Sequence, residues 1–321
     1  MTLRELAIAA LLVAFAGFGS RASAQGLDFA SQNGLPVEVY ADNGMELSQD
    51  AKTVIARGNA RAVRGKVTVT ADTLIAYYRD KQKPGAVADK AKPAPTLASQ
   101  RGSADVDSGN SEVWRLEAEG HVVIFTDTQH AYGDHADYNI DDAVVVLTGK
   151  DLHMTTSDEI VTARDSLEYW EHSQQAVARG NAVATKGDKR IRADILVADY
   201  GQDQQKKTIL RHATGFDHAV ITTPDEIVTG NRTDYNPLAG VATVTGAVKM
   251  TRGQNQLDGE YAVVNLNSGI SRVYPSVPGG TPGPDARVKA LLIPQHRTDE
   301  GAAVGANPGA PAAPSSPPAS Q

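Results

Sequence analysis

The chain has 321 residues, a formal charge of −7 and no cysteine. Without cysteine there are no disulfides, no thiolate nucleophile and no cysteine-ligated zinc, so apolar burial and backbone pairing must hold the fold. The net acidity argues against a nucleic-acid partner, which calls for a basic face to displace counterions.

Residues Met1–Ala24 read as a cleavable signal peptide: Arg4 is basic, Leu6–Phe18 is an apolar run, and Ala22-Ser23-Ala24 is a small-residue cleavage site. That run is too short to span a bilayer comfortably, and no later stretch resembles a spanning helix. The body, residues 25–294, begins with a candidate edge strand at Val37–Tyr40. Residues 54–78 and 176–200 then align without a gap. They share Ala56, Arg57, Gly58, Asn59, Ala60, Ala62, Gly65, Ala71, Asp72, Leu74, Ala76 and Tyr78 of the first copy. A repeated strand–turn–strand unit points to a stack whose function lies along a surface or groove. Residues 81–110, with Pro84, Pro93 and Pro95 and few large apolar side chains, read as a disordered insertion.

Leu116, Ala118, Gly120, Val122 and Ile124 form one face of a strand, and Val67 and Val69 alternate with Lys66, Thr68 and Thr70. Val244, Gly246, Val248 and Met250 alternate with Thr245, Ala247 and Lys249. This is period two, one face dry and one wet. Turns are expected at Asp141-Asp142, Gly187-Asp188 and Asn267-Ser268-Gly269. Tyr261–Asn265 or Arg287–Ile293 forms the closing edge, and residues 295–321, rich in Ala, Pro, Gly and Ser, read as a disordered tail. Strand-interior glycines recur at 58, 120, 149, 180, 215 and 246, where a bend or close backbone approach is expected. Each unit ends near a tyrosine: Tyr78, Tyr138, Tyr169, Tyr200, Tyr235 and Tyr261. The architecture that follows is all-β, one elongated antiparallel stack around an apolar interior.

Catalytic signals are weak. His130, Asp134 and His135 are near in sequence, but the five-residue step puts the two histidines on opposite faces of a regular strand. No zincin, phosphate-loop, dinucleotide or nucleophile-elbow motif is present. Asp72 and Asp194 occupy equivalent repeat positions. They are read as turn caps, since an acid–base pair needs two carboxylates in unlike environments. No catalytic residue, metal site or cofactor is expected.

The A-R-G-N-A … A-D-x-L-x-A-x-Y unit, LEAEGHVVIFTDTQHAYGDHADYN at 116–139 and TVTGAVKMTRGQNQLDGEYAVVNLNSG at 243–269 resemble the OstA-like repeats of the LptA family of periplasmic lipopolysaccharide-transport proteins, over roughly residues 37–293. The resemblance implies a twisted antiparallel β-jellyroll with open ends that shields the acyl chains of lipid A and bridges inner and outer membranes. It also implies lipopolysaccharide as ligand, inner- and outer-membrane transport components as partners, and head-to-tail self-association through edge strands. Val67, Val69, Leu74, Leu116, Val122, Ile124, Leu196, Val244 and Val248 are the candidate groove lining, and Ala56, Gly58, Ala60 and Ala62 are expected to leave width between two walls. Two rivals remain at this stage. A carbohydrate-active β-solenoid enzyme would need a cleft of unlike carboxylates, and a purely structural or adhesive stack would have a closed interior.

Overall fold

The computed structural model describes residues 37–80, 111–204, 208–281 and 286–293. The expected signal peptide, the 81–110 insertion and the 295–321 tail lie outside the described residues.

The described chain forms eighteen strands and no helix. In chain order these are β1 Glu38–Tyr40, β2 Met45–Ser48, β3 Thr53–Arg64, β4 Val67–Asp80, β5 Ser111–Phe125, β6 His130–Asn139, β7 Val144–Thr148, β8 His153–Thr155 and β9 Glu159–Thr162. They continue with β10 Ser166–Trp170, β11 Gln175–Lys186, β12 Lys189–Gln202, β13 Thr208–Thr222, β14 Ile227–Asn236, β15 Val241–Arg252, β16 Asn255–Asn265, β17 Ile270–Tyr274 and β18 Lys289–Leu291. Every pairing is antiparallel, and sequence neighbours pair from β3 to β6 and from β11 to β16.

The long strands bend at their middles, so each serves two facing arms. The first arm ends in turns such as Gly65-Lys66, Asp127-Thr128 and Gly187-Asp188; the second ends near Asp80, Asp141 and Asn267. Four places divide one such rung into two short strands. β1 and β2 pair with the far and near halves of β3, and β17 and β18 with the two halves of β16. In the middle of the stack β7 and β8 both pair with β6, and β9 and β10 both pair with β11. The two divided rungs also pair with each other, β7 with β10 and β8 with β9. The ladder therefore runs unbroken from the first rung to the last.

Each corner has a local cause. The pairs Gly58-Asn59, Gly120-His121, Gly180-Asn181, Asp217-His218 and Gly246-Ala247 all have positive φ, and the ladder register shifts at each of them. Two successive left-handed residues insert a bulge that turns the strand from one arm into the other. A neighbouring Asx side chain lies against the bend, so that a Cβ on Gly180 would collide with the Asp165 carboxylate. Gly215 is not one of these corners. It sits in the second arm, and Asp217-His218 makes the turn in its strand; Asp tolerates the left-handed region better than most residues.

Inside the bend the arms converge, and the side chains there are small. Ala60 faces Ala71 across β3–β4, Ala182 faces Ala193 across β11–β12, and all four are buried. These alanines allow close approach; they do not hold the walls apart. Away from the corner the inward positions grow to Val, Ile, Leu and Tyr, forming one apolar cluster from Val67 to Leu266. Tyr138, Tyr169, Tyr200 and Tyr235 belong to that cluster, and Tyr78 donates to the Ser48 carbonyl at 3.0 Å. Tyr261 leaves the pattern: its neighbour Ala262 is the buried residue, and its ring packs instead on the exposed Tyr274, with centroids 5.8 Å apart.

Gly180 and Gly187 both have positive φ, but nothing lies within 4 Å of a Cβ at Gly187. Gly187→Ala therefore carries only the left-handed backbone cost, about 1–2 kcal/mol. Gly180→Ala should destabilise by clearly more in urea unfolding, because Asp165 has to be displaced as well.

Candidate functional site

The candidate lining residues converge on one interior. Val67, Val69, Val122, Ile124 and Val248 face inward from the first arm, and Leu74, Leu116, Leu196 and Val244 from the second. Val67, Val122, Ile124, Leu196, Val244 and Val248 are buried in the core cluster; Val69, Leu74 and Leu116 are partly buried against it. Val69 pairs with Ile124, and Ala76 brings Leu116 beside Leu74, so these residues form stripes along the stack as period two requires. The interior is packed. A cavity of about 10 Å³, lined among others by Ile191, Leu196, Gly215, Thr233 and Tyr235, has room for about one water.

Polar groups border this interior where the arm tips meet. Glu226, in the first-arm turn before β14, is buried; its carboxylate accepts from Arg252 Nη2 at 2.8 Å and from the Ser271 hydroxyl. The same Arg252 nitrogen donates to the Gly269 carbonyl at 3.0 Å, and Lys189 Nζ reaches the Leu266 carbonyl at 3.2 Å. Lys189, Glu226 and Arg252 belong to first-arm tips; Leu266, Gly269 and Ser271 belong to the second. One rung group further back, Glu159 is buried with Lys186 3.2 Å away. Burial pushes the Glu159 carboxyl up to about 8, and Lys186 offsets that only in part. Burial, with Glu159 nearby, also raises the Tyr235 hydroxyl. None of these groups follows from local patterning, because the partners are up to 77 residues apart.

The ends of the stack differ from its sides. Eleven of the fifteen exposed large apolar side chains lie on or beside the two end rungs, among them Tyr40, Met45 and Leu47 at one end and Ile270, Leu291 and Leu292 at the other. Apolar exposure is thus concentrated at the two ends. Among the described residues, β1 and β2 pair only with β3, and β17 and β18 only with β16, so each presents an edge without a described strand partner. The expected edge at Tyr261–Asn265 is covered by β17, and the strand expected over Arg287–Ile293 is confined to Lys289–Leu291.

The remaining constellations lie on the outside. Asp72 and Asp194 do not cap strand entrances; they sit at corners, where their carboxylates meet His121 Nδ1 and His218 Nδ1, each at 2.8 Å. The hydrogen bond to Asp72 raises the His121 pKa. Both pairs are largely solvent-exposed and alike in surroundings. His130 stacks between Phe125 and Tyr132, with centroids 5.5 and 6.2 Å away, and the Asp134 carboxylate accepts from the Lys150 backbone N–H.

The family model for the LptA/(LptD N-terminal domain) LPS transport protein matches this chain twice in succession, over residues 38–165 and 161–270. The chain belongs to the LptA/LptD N-terminal lipopolysaccharide-transport family. The two matches to this family overlap over residues 161–165, from the end of β9 to the turn before β10, beside the pairing of the two divided rungs. This is a transport family. An uncharacterized protein of Rhizobium meliloti (strain 1021) is 23% identical over 158 residues, covering 48% of this chain and 73% of that one. LptH of Pseudomonas aeruginosa, described as the LptA-homologous periplasmic component of the conserved lipopolysaccharide transport device, is 20% identical with a TM-score of 0.37, covering 42% of this chain and 95% of its own.

The Glu159 shift has a definite sign. Its folded value of about 8 lies above its ordinary 4.5, so between those pH values the folded state binds more protons than the unfolded state. That contribution to stability falls as pH rises through the window. Glu159→Gln removes it: relative to wild type, the variant should gain melting temperature progressively from pH 5 to pH 8 in thermal scans.

Proposed function

We propose that this protein is a periplasmic lipopolysaccharide carrier that covers lipid A acyl chains between its two arms and joins end to end into a bridge between the membranes. Export is inferred from the Met1–Ala24 reading and is in keeping with the family. Exposing one twelve-carbon chain to water costs on the order of 10 kcal/mol at about 0.8 kcal/mol per methylene. The inward stripes, including Val67, Val69, Leu74, Leu116, Val122, Ile124, Leu196, Val244 and Val248, offer the apolar cover that such a chain needs. The sugars stay outside, and the energy for transport comes from other components at the two ends.

The observation that carries the bridging reading is the internal junction between the two family matches. There the rung β7/β8 pairs on both arms with the rung β9/β10, whose strands pair with β11 as β1 and β2 pair with β3. The free ends repeat these strands. β2 stands in the place of β10, because Ala56 pairs with Met45 as Ala178 pairs with Leu167. β17 stands in the place of β7: Asn139 and Asn265 make the same side-chain turn, each accepting two backbone N–H groups, and pair with Val144 and Ile270. Strand directions match as well, so a second copy docks antiparallel on both arms without rearrangement.

Transferring the junction register to two chains sets Met45 opposite Val273, Glu46 opposite Arg272, Tyr40 opposite Lys289 and Glu38 opposite Leu291. Leu167 and Tyr169, the junction counterparts of Met45 and Leu47, lie partly buried and buried, whereas Met45 and Leu47 are exposed. Glu46 and Arg272 point outward and carry opposite charges.

Two measurements test this reading. A photoreactive side chain at Leu116 or Val69 should label with lipopolysaccharide in the living cell, while one at the exposed outer position Arg61 stays at background. Equal labelling at all three would remove the interior from consideration. For the junction, Glu46→Arg or Arg272→Glu alone should weaken self-association about tenfold by light scattering, since attraction across a strand pair becomes repulsion. The two changes together should restore it.

A further inference from the structure

The interior described here is full, so an acyl chain can occupy it only if the arms separate. Three boundaries enclose that interior. At the corners the backbone itself passes from arm to arm, and the ladder is continuous on both sides. At the ends, opening means stripping a whole rung. At the tips, among the described residues, no backbone–backbone hydrogen bond joins one arm to the other; only side chains cross. A backbone ladder yields rung by rung, each bond worth about 1 kcal/mol net, whereas the tip seam over β12–β17 is tied by a few side-chain bonds.

Those ties have a chemistry suited to exchange. Arg252, about half exposed at the rim, holds the buried Glu226 carboxylate and the Gly269 carbonyl, while Lys189 holds the Leu266 carbonyl. Cations held partly by neutral carbonyls gain by moving to an anionic oxygen, because charge-assisted hydrogen bonds are the stronger kind. The small cavity beside Leu196, Gly215 and Tyr235, with room for about one water, lies in the same half of the stack.

We propose that an acylated amphiphile with an anionic headgroup loads sideways through the seam between the arm tips over β12–β17, with Lys189, Glu226, Arg252 and Ser271 as the latch that opens. This rests on the carrier reading. On opening, Lys189 and Arg252 turn from protein acceptors to the headgroup, and the chain slides in against the stripe of Leu196, Val244 and Val248. Threading from the free ends is then unnecessary, so a chain joined at both ends still loads.

The absence of cysteine makes the test clean. Glu226→Cys with Ser271→Cys in the full chain places two thiols across the seam, to be bridged by a short cleavable bis-maleimide. The probe is purified lipopolysaccharide, and the readout is lipid retained after repurification. The unbridged double variant should load at least as well as wild type, the bridged form should lose loading, and cleavage of the bridge should restore it. A bridged form that loads as fast as the unbridged one overturns the latch while leaving the carrier reading intact. If wild type itself retains no lipid, the carrier reading fails and the latch with it. Should the double variant not load where wild type does, Ser271→Ala decides: it removes the Ser271–Glu226 tie while leaving Lys189 and Arg252 for the headgroup, and it should speed loading about fivefold, the equivalent of one hydrogen bond; no gain overturns the proposal.

Discussion

The bend in the middle of each long strand is the constraint on which the rest of this molecule depends. A flat antiparallel sheet of this length would expose one apolar face along its whole extent. By turning every second long strand, β3, β5, β11, β13 and β15, at two successive left-handed residues and bending the strands between them alongside, the chain makes one sheet cover itself. The bend requires glycine or a residue that tolerates positive φ, and an Asx side chain lies against several of the corner glycines: Asn43 at Gly58, Asp72 at Gly120, Asp165 at Gly180 and Asn231 at Gly246. It also dictates what stands inside. Where the arms converge the inward pairs are small, alanine on alanine or valine facing glycine, and where they diverge the larger leucines and tyrosines find room.

Because each rung repeats the same bend, the structure has no intrinsic length. Adding a rung changes nothing about its neighbours, and the double family match is one outcome of that freedom. The divided rungs show where the regularity relaxes. They occur at the two ends and at the meeting of the two copies, and nowhere else among the described residues. A divided rung relieves the corner of its bulge, since two short strands joined by a few residues need no continuous ladder through the bend. In mid-chain the two divided rungs pair with each other within one chain, the pairing that the proposed end-to-end docking would repeat between chains.

Much of this was legible in the sequence, for a physical reason. Period two is a local property, and it correctly separated Val122, Ile124, Val244 and Val248 from the outward Glu119, His121 and Lys249. The repeat of 54–78 at 176–200 placed two equivalent rungs, and the corner glycines at 58, 120, 180 and 246 marked true bends. The failures were also physical. Gly215 kept the glycine rhythm in letters while the bend moved to Asp217-His218, because any residue able to adopt positive φ can occupy the corner. Asp72 and Asp194 looked like turn caps because their histidine partners arrive from the next rung, 49 and 24 residues on. The tip groups Lys189, Glu226 and Arg252 were invisible for the same reason: which tip meets which depends on the twist accumulated over several rungs, and no local pattern encodes it.

A carrier along a stack has a requirement that a binding pocket lacks. If one rung held an acyl chain much more tightly than the next, the lipid would stop there, since each 1.4 kcal/mol of difference is a tenfold change in residence. Near-identical rungs keep the profile level. The inward series of Val, Leu and Ala over successive rungs, with polar groups held to the tips and the acidic and imidazole pairs to the outer corner, keeps sharp attraction out of the path. The sameness that argued against a catalytic pair at Asp72 and Asp194 therefore has a second meaning. It leaves those two carboxylates in like surroundings, and for the carrier proposed above it is the uniform environment that movement needs.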